Sequence, residues 1–415
     1  MKIKAPKGTK DTLPSDQATR RAVTHALEGA SERAGYGRIS VPTFEETALF
    51  ARAAGDGSDV VQKEMYAFDD RAGRSLTLRP EATAQVCRAY LEHGLHRSPL
   101  PFKAYYTAPM FRYAAPQKGR LREFWQVGAE AIGTDDPAVD TEIIAIVADA
   151  FDALGLSRIR LDLNSIGCGE CRKAYLVELG SFLEANESVL DDDARGKARV
   201  SPLRVFDTKN EQVQARLADA PLIGDHLCAG CREHFAEVRR FLDALGVTYF
   251  DAPRLVRGLD YYTRTVFEFV DEEIDAAQST ICAGGRYDGL IEELGGKATP
   301  AVGFAAGVER IVLALEHRQS SVGDPSGIDV FFAFADSTDR SDILALMNAL
   351  RRTWVCETDY VQRSLKGQMT QATRLDARLT VVSEESQIMV RERGQDDVLV
   401  NDRDELAVLL EERLQ

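Results

Sequence analysis

The stretch Glu123-Phe124-Trp125-Gln126-Val127-Gly128-Ala129-Glu130-Ala131-Ile132 limits the possible folds more than any other. Trp125, Val127, Ala129 and Ala131 fall on one side of a period-two pattern, and Gln126, Gly128 and Glu130 on the other. Wound as a helix, these residues would scatter around the axis, so the segment reads as a strand with one apolar face. Upstream, Pro116-Gln117-Lys118-Gly119 reads as a hairpin loop returning the chain from Phe111-Arg112-Tyr113. An amide, a glycine and an acid opposite a core face make a plausible floor for a site, with Gly128 leaving a hole for a ligand. A wetted sheet face has the same pattern. The loop adds Lys118, Arg120 and Arg122, a cationic cluster.

That cluster stands out because the chain is acidic, with a net charge of −15 over 415 residues. Such a balance argues against non-specific nucleic-acid binding, so any polyanion has to meet a local basic face. The length suggests two or three domains. With 44% hydrophobic and 28% charged residues, the chain is globular. No apolar run approaches the roughly 20 residues that span a bilayer, and Met1-Lys2-Ile3-Lys4-Ala5-Pro6 has no h-region. Seven cysteines, an odd number, fit reduced cytoplasmic thiols better than a disulfide framework. No membrane partner is expected.

In chain order, Ser15 is the expected cap of a helix whose apolar face carries Ala22, Ala26, Leu27, Ala30 and Ala34. Arg38 to Glu45 reads as one strand, broken at Pro42. Leu76-Thr77-Leu78-Arg79-Pro80-Glu81-Ala82-Thr83 reads as a strand, a proline and a helix start. Glu81 there either complements the helix N-terminus or serves a ligand. Asp136-Pro137 caps a helix buried through Ile143, Val147, Phe151 and Leu154, and Ile159, Leu161 and Leu163 alternate as a strand. From about Asn164 to Cys231 charge rises and periodicity fades. Phe235, Val238, Phe241 and Leu245 then mark a helix, as do Val308, Ile311, Val312 and Leu315 after Gly303-Phe304-Ala305-Ala306-Gly307. Residues 320–327 read as a linker, and 328–415 alternate strands and helices as a small α/β domain.

The segment of irregular character is bracketed by Cys168-x-x-Cys171 and Cys228-x-x-Cys231. Paired C-x-x-C is zinc spacing, but the gap between the pairs far exceeds the ~15–20 residues of common ribbons. Zinc is therefore possible and free thiols are preferred, with no metal ligand assigned.

Leu255-Val256-Arg257-Gly258-Leu259-Asp260-Tyr261-Tyr262-Thr263-Arg264-Thr265-Val266-Phe267-Glu268-Phe269 ends as a strand but begins with charges crowded around a glycine. With Gly284-Gly285-Arg286-Tyr287-Asp288-Gly289-Leu290, this run resembles the two histidine-specific signatures of histidyl-tRNA synthetases. The helix and proline-broken strand near the N-terminus are similar to motif 1 of class II synthetases, the hairpin with Arg112 to motif 2, and the turn bearing Arg310 to motif 3.

The resemblance implies an α/β (α+β) fold: an antiparallel-sheet catalytic domain in two parts, 1–163 and 232–319. An inserted domain at 164–231 separates them, and an anticodon-binding domain occupies 328–415. In this family some members carry similar cysteine pairs without a general zinc requirement. The resemblance further implies ATP-dependent activation of L-histidine to its adenylate, transfer to histidine tRNA, and a homodimer formed through motif 1. Arg112 and Arg257 are implied as the α-phosphate clamp and catalytic pair. Arg120 and Arg310 are implied on ATP, Arg310 together with Mg²⁺. Glu81, Thr83 and Gln126 are implied at the substrate ammonium, Glu130 and Tyr262 at the imidazole, and Tyr287 as the wall of that pocket. Ala114 departs from the pattern where motif 2 commonly has an acid, and Ala115 where bacterial relatives commonly have arginine. The alternative is a non-catalytic paralogue, such as the regulatory subunit of ATP phosphoribosyltransferase, which lacks the anticodon domain.

Overall fold

The computed structural model describes residues 3–54, 63–208, 210–274, 279–320, 322, 327–335, 340–384 and 387–414. The chain divides into two compact units, Met1–Gly323 and Asp324–Gln415. Of the expected linker, residues 321 and 323–326 lie outside the described residues.

The first unit is organised on an eight-stranded sheet. Its spatial order is Gly37–Arg38, Phe102–Phe111, Glu123–Ile132, Ala301–Gly307, Thr280–Arg286, Thr263–Asp271, Ile159–Ser165 and Phe250–Asp251. The six long strands pair antiparallel, and the two short edge strands join parallel. The hairpin read from the sequence is present, with Phe111 opposite Glu123 and Phe102 opposite Ile132. Its alternation decides the layering. Val127, Ala129 and Ala131 are fully buried against Ile143, Val147 and Phe151 of helix Pro137–Ala153 and against Val23 and Leu27 of helix Pro14–Arg33. Phe235, Val238 and Leu242 of helix Ala229–Ala244 join the same core, as do Ile311 and Leu315 of helix Val308–His317. Helices therefore cover one face, leaving the polar face of the hairpin for a site.

Local chemistry explains where the expectations hold and where they fail. The Asp136 carboxylate accepts from the Ala138 N–H at 2.9 Å, with Pro137 in the first turn, as read. Helix Pro14–Arg33 begins one residue before Ser15 and has no side-chain cap. Proline lacks an N–H and is pre-set for a first helical turn, so the start moves to Pro14. The helix buries Val23, Leu27, Ala30 and Ser31, while Ala22, Ala26 and Ala34 are half-buried on its flank. The apolar face is thus spent inside its own unit.

The expected strand Arg38–Glu45 is two strands in two sheets. Gly37–Arg38 edges the large sheet, and Phe44–Glu46 joins a three-stranded sheet with Ser75–Leu78 and Tyr66–Asp69. Between them, the buried Arg79 guanidinium donates to the carbonyls of Val41 (2.8 Å), Pro42 (3.2 Å) and Pro109 (2.7 Å). It thereby satisfies backbone groups that no ladder reaches.

Residues 164–231 are helical rather than irregular, with helices Gly169–Ala185, Asp192–Val200 and Glu211–Leu217. Tyr175, Leu179 and Leu183 line one buried stripe and share a core with Leu190, Ala194, Val205, Val213 and Leu217. In helix Ala229–Ala244 the expected Leu245 is instead a C-cap residue, 59% exposed, and Leu242 takes the buried position.

The second unit has a sheet ordered Cys356–Thr358, Val330–Phe334, Leu379–Glu384, Gln387–Glu392, Val398–Val400. Its first three strands are parallel and the rest antiparallel. Phe332, Phe334, Ile343 and Met347 pack with Leu406 and Leu410 of helix Arg403–Leu414. Phe331, Ala333, Ala372 and Val382 form the opposite layer. Among the described residues no helix is long and apolar enough to cross a membrane.

Candidate active site

The polar face of the hairpin forms the floor of a cavity of about 490 Å³. Glu130 lies at its deep end, 1% exposed. Its Oε1 accepts from the Thr83 hydroxyl at 2.7 Å and its Oε2 from the Tyr287 hydroxyl at 2.6 Å. Burial pushes this carboxyl up to about 8, and the nearby Glu81 charge adds to the rise. The Tyr287 and Thr83 hydrogen bonds oppose it. Gly303 stands opposite Glu130 in the ladder, and a Cβ there would lie 1.8 Å from Oε2. Gly303 is glycine because the carboxylate occupies its side-chain space.

Glu81 is also buried. Its carboxylate accepts from the N–H groups of Thr83 (2.6 Å) and Ala84 (3.1 Å), capping helix Thr83–Glu92, while its side chain lines the cavity. Glu81 thus complements the helix N-terminus and also stands on the cavity wall. Burial raises its carboxyl, opposed by those N–H groups and by the Arg112 charge. Gly128 does not leave a hole for a ligand. A Cβ there would fall 2.4 Å from the Tyr106 ring and 2.6 Å from the Phe304 carbonyl, so the space belongs to Tyr106. Gln126, two residues along, keeps its Oε1 buried without a hydrogen-bond partner among the described residues.

The other end is cationic. Arg112 Nε donates to the Pro80 carbonyl at 2.9 Å, and its guanidinium lies 5.3 Å from the Phe124 ring centroid. Arg120 pairs with Glu64 at 2.8 Å. Arg257 pairs with Glu268, whose other oxygen accepts from the Thr280 hydroxyl at 2.9 Å. Arg310 donates to the Thr280 carbonyl at 2.6 Å. Burial pushes Arg310 down to about 10, and the charges of Arg112, Arg120 and Arg257 push the same way. These cations stay close together at a cost in mutual repulsion that a polyanion would relieve.

All ten residues singled out from the sequence line this one cavity: Glu81, Thr83, Arg112, Arg120, Gln126, Glu130, Arg257, Tyr262, Tyr287 and Arg310. Ala114 lines it as well. Arg286, between two signature residues, instead forms a buried ion pair with Asp140 and donates to the Thr134 carbonyl at 2.9 Å. This fixes the strand end from which Tyr287 points. Sequence reasoning missed Tyr106, Glu268, Thr280 and Gly303. Glu268 was findable, since it alternates with the core residues Phe267 and Phe269, but Val266 is buried on its own side and hides the period. Thr280 carried no signal.

The four cysteines outside the cavity also converge. The Sγ atoms of Cys168, Cys171, Cys228 and Cys231 all lie within 4.8 Å of one another. The long sequence gap is closed by the helices between the pairs.

A family model described as histidyl-tRNA synthetase matches residues 8–170 and 184–311. The chain is 49% identical over 379 residues to the histidine–tRNA ligase of Nocardia farcinica, spanning 91% of this chain and 89% of the relative. It is 45% identical over 389 residues to that of Caldanaerobacter subterraneus subsp. tengcongensis, spanning 94% and 93%. The apo histidyl-tRNA synthetase of S. aureus has a similar structure, with a TM-score of 0.81 at 36% identity over 100% of both chains. A Bacillus halodurans structure described as an ATP phosphoribosyltransferase regulatory subunit/histidyl-tRNA synthetase shares the fold, with a TM-score of 0.67 at 21% identity. That alignment spans 93% of this chain and 100% of the other.

Proposed function

The chain belongs to the histidyl-tRNA synthetase family, and from that premise we propose how its cavity divides the work of charging tRNA with histidine. The observation that carries the reading is a single cavity with buried carboxyls at one end and clustered guanidiniums at the other. Histidine binds at the carboxyl end. Glu81, Thr83 and the unsatisfied Gln126 amide oxygen meet its ammonium group. Glu130 and Tyr262 take the two imidazole nitrogens, and Tyr287 closes the pocket while holding Glu130 in place. A site that hydrogen-bonds both ring nitrogens rejects isosteres lacking them by roughly 10⁴-fold.

ATP binds at the cationic end. A carboxylate oxygen of histidine attacks the α-phosphorus. The new P–O bond forms as the bond to the pyrophosphate oxygen breaks. Arg112 and Arg257 hold the α-phosphate oxygens as charge builds, with planar forks that lysine could not replace. Arg120 and Arg310 hold the rest of the ATP. The 3′-terminal ribose of the tRNA then attacks the histidyl carbonyl and AMP leaves. Mg²⁺ takes oxygen ligands, commonly one or two carboxylates plus substrate phosphates. Glu268, lining the cavity between Arg257 and Thr280, is the carboxylate that fits. Bound there with ATP, the ion would neutralise phosphate charge.

The homodimer rests on family resemblance, because the motif 1 helix buries its apolar face in its own unit; the cytoplasmic location rests on that resemblance and on the odd cysteine count. A fully active, dilution-stable monomer in light scattering would remove the dimer. The regulatory alternative has support only at the level of fold. The deciding experiment is ATP–pyrophosphate exchange with and without histidine. Histidine-dependent exchange is expected, and its absence in folded protein would favour the regulatory reading.

A further inference from the structure

We propose that Cys168, Cys171, Cys228 and Cys231 hold one structural zinc ion where the helical insertion leaves and re-enters the catalytic sheet. A tetrahedral zinc with Zn–S bonds of about 2.3 Å spaces its sulfurs roughly 3.8 Å apart. Here Cys168 and Cys171 are 3.6 Å apart, and no pair among the four exceeds 4.8 Å. None of the four is in a disulfide. That spacing suits one ion, whereas an iron–sulfur cluster would hold the sulfurs further apart.

The two pairs are built alike. Cys168-Gly169-Glu170-Cys171-Arg172 and Cys228-Ala229-Gly230-Cys231-Arg232 each place the first cysteine as an N-cap and the second in the first helical turn. In each, the arginine N–H donates to the first cysteine's carbonyl at 3.0 Å. Two helix N-termini thus face the same four sulfurs, and their positive ends favour thiolate, the ligating form. The Cys228 N–H donates to Cys171 Sγ at 3.1 Å, an outer contact that orients a ligand sulfur. Gly167 has φ +64°, and a Cβ there would fall 2.5 Å from the Cys171 Cβ, so the backbone is shaped around that cysteine. Among the described residues the apolar cluster here is small, with Leu227 the one member besides the cysteines themselves. Four clustered thiols gain little there from burial, whereas a metal would supply the cross-link.

The location gives the ion its consequence. Cys168 follows strand Ile159–Ser165 by three residues, and Cys228 opens the helix that returns to the main core. The same root is bonded to the histidine-signature segment. Arg264 N–H donates to the Gly167 carbonyl at 2.8 Å, and Ile166 N–H to the Arg264 carbonyl at 2.8 Å. Zinc would therefore pin the insertion and steady the base of the loop carrying Arg257 and Tyr262, without touching substrate.

The test is elemental analysis of the full chain purified under reductant without chelator. About one zinc per chain is expected, together with tetrahedral thiolate absorption after exchange for cobalt. Cys228→Ser, at the exposed sulfur, should lose most of the zinc, lower the melting temperature and speed proteolysis between the two cysteine pairs, with the far-ultraviolet dichroism retained. Cys356→Ala, in the second unit, should keep the zinc. Four freely titrating thiols with only a trace of zinc, iron in its place, or unchanged zinc in Cys228→Ser would each overturn the proposal.

Discussion

Glu130 shows how one residue trades stability for recognition. Its ordinary carboxyl value is 4.5, and burial holds it at about 8 in the folded protein. Between those values the folded state keeps a proton that the unfolded chain has released. Stability is therefore full below about 4.5 and falls as pH rises through about 8. Glu130→Gln removes that penalty. The variant's melting temperature should match the parent's near pH 5 and exceed it by at least about 2 °C above pH 8, where calorimetry can read it. Bound histidine, hydrogen-bonding to the charged form, would draw Glu130 back down into its ionised state, so histidine activation should fall about tenfold or more in the variant as that charge-assisted bond is lost. At the cationic end, Arg257→Ala should cut the exchange rate about 10²-fold or more with little change in histidine affinity, since its charge acts on the transition state. Unchanged turnover in pyrophosphate exchange would remove Arg257 from the clamp. Ala114 tests the departure from motif 2. It is buried and lines the cavity. If a carboxylate there reads the adenine amino group, Ala114→Glu should lower the ATP KM about two- to twelve-fold, the worth of one hydrogen bond. It should also sharpen preference over an inosine nucleotide. An unchanged ATP-to-inosine ratio would mean that the loop does not read adenine.

At the scale of the element, what the sequence discloses is periodicity, and what it conceals is which neighbour fills a space. The hairpin Phe102–Phe111/Glu123–Ile132 was legible because its core face is unbroken and its loop is turn chemistry. Every residue assigned to the site lines the cavity because the assignment came from motifs whose order matches a family, not from alternation alone. Gly128 was misread because the ring that occupies its space comes from Tyr106, on the other strand of the hairpin. The Arg38–Glu45 stretch was misread because its second half pairs with Ser75–Leu78, a partner invisible from local pattern. The helical insertion was misread although Tyr175, Leu179 and Leu183 recur at helical spacing, because charged outer residues outnumber that stripe. Gly303 carries the matching prediction. Gly303→Ala forces a Cβ into the Glu130 carboxylate, so it should cost roughly 1–3 kcal/mol of stability and weaken histidine binding. Gly289→Ala, whose Cβ would meet only Glu293 at 3.7 Å, is the control. A Gly303→Ala protein with parental melting and KM for histidine would show that Glu130 has room to move.

For the molecule as a whole, the question is how two chemistries share one chain. Activation needs the cavity, and every residue assigned to it lies in Met1–Gly323. That unit's core clusters are distinct from the two that hold Asp324–Gln415 together. If the second unit serves as the anticodon-binding domain, it contributes affinity for tRNA and nothing to the phosphoryl chemistry. Losing one of two linked binding modules lowers affinity by roughly 10²–10⁴-fold. A chain ending at residue 323 should therefore keep most of its histidine-dependent pyrophosphate exchange while its charging of histidine tRNA falls by about that factor. Raising the tRNA concentration should recover part of the charging rate, because the acceptor end still meets an intact active site. Equal loss of exchange and charging, in a fragment whose circular dichroism and melting show a folded first unit, would mean that the second unit supports the catalytic sheet itself.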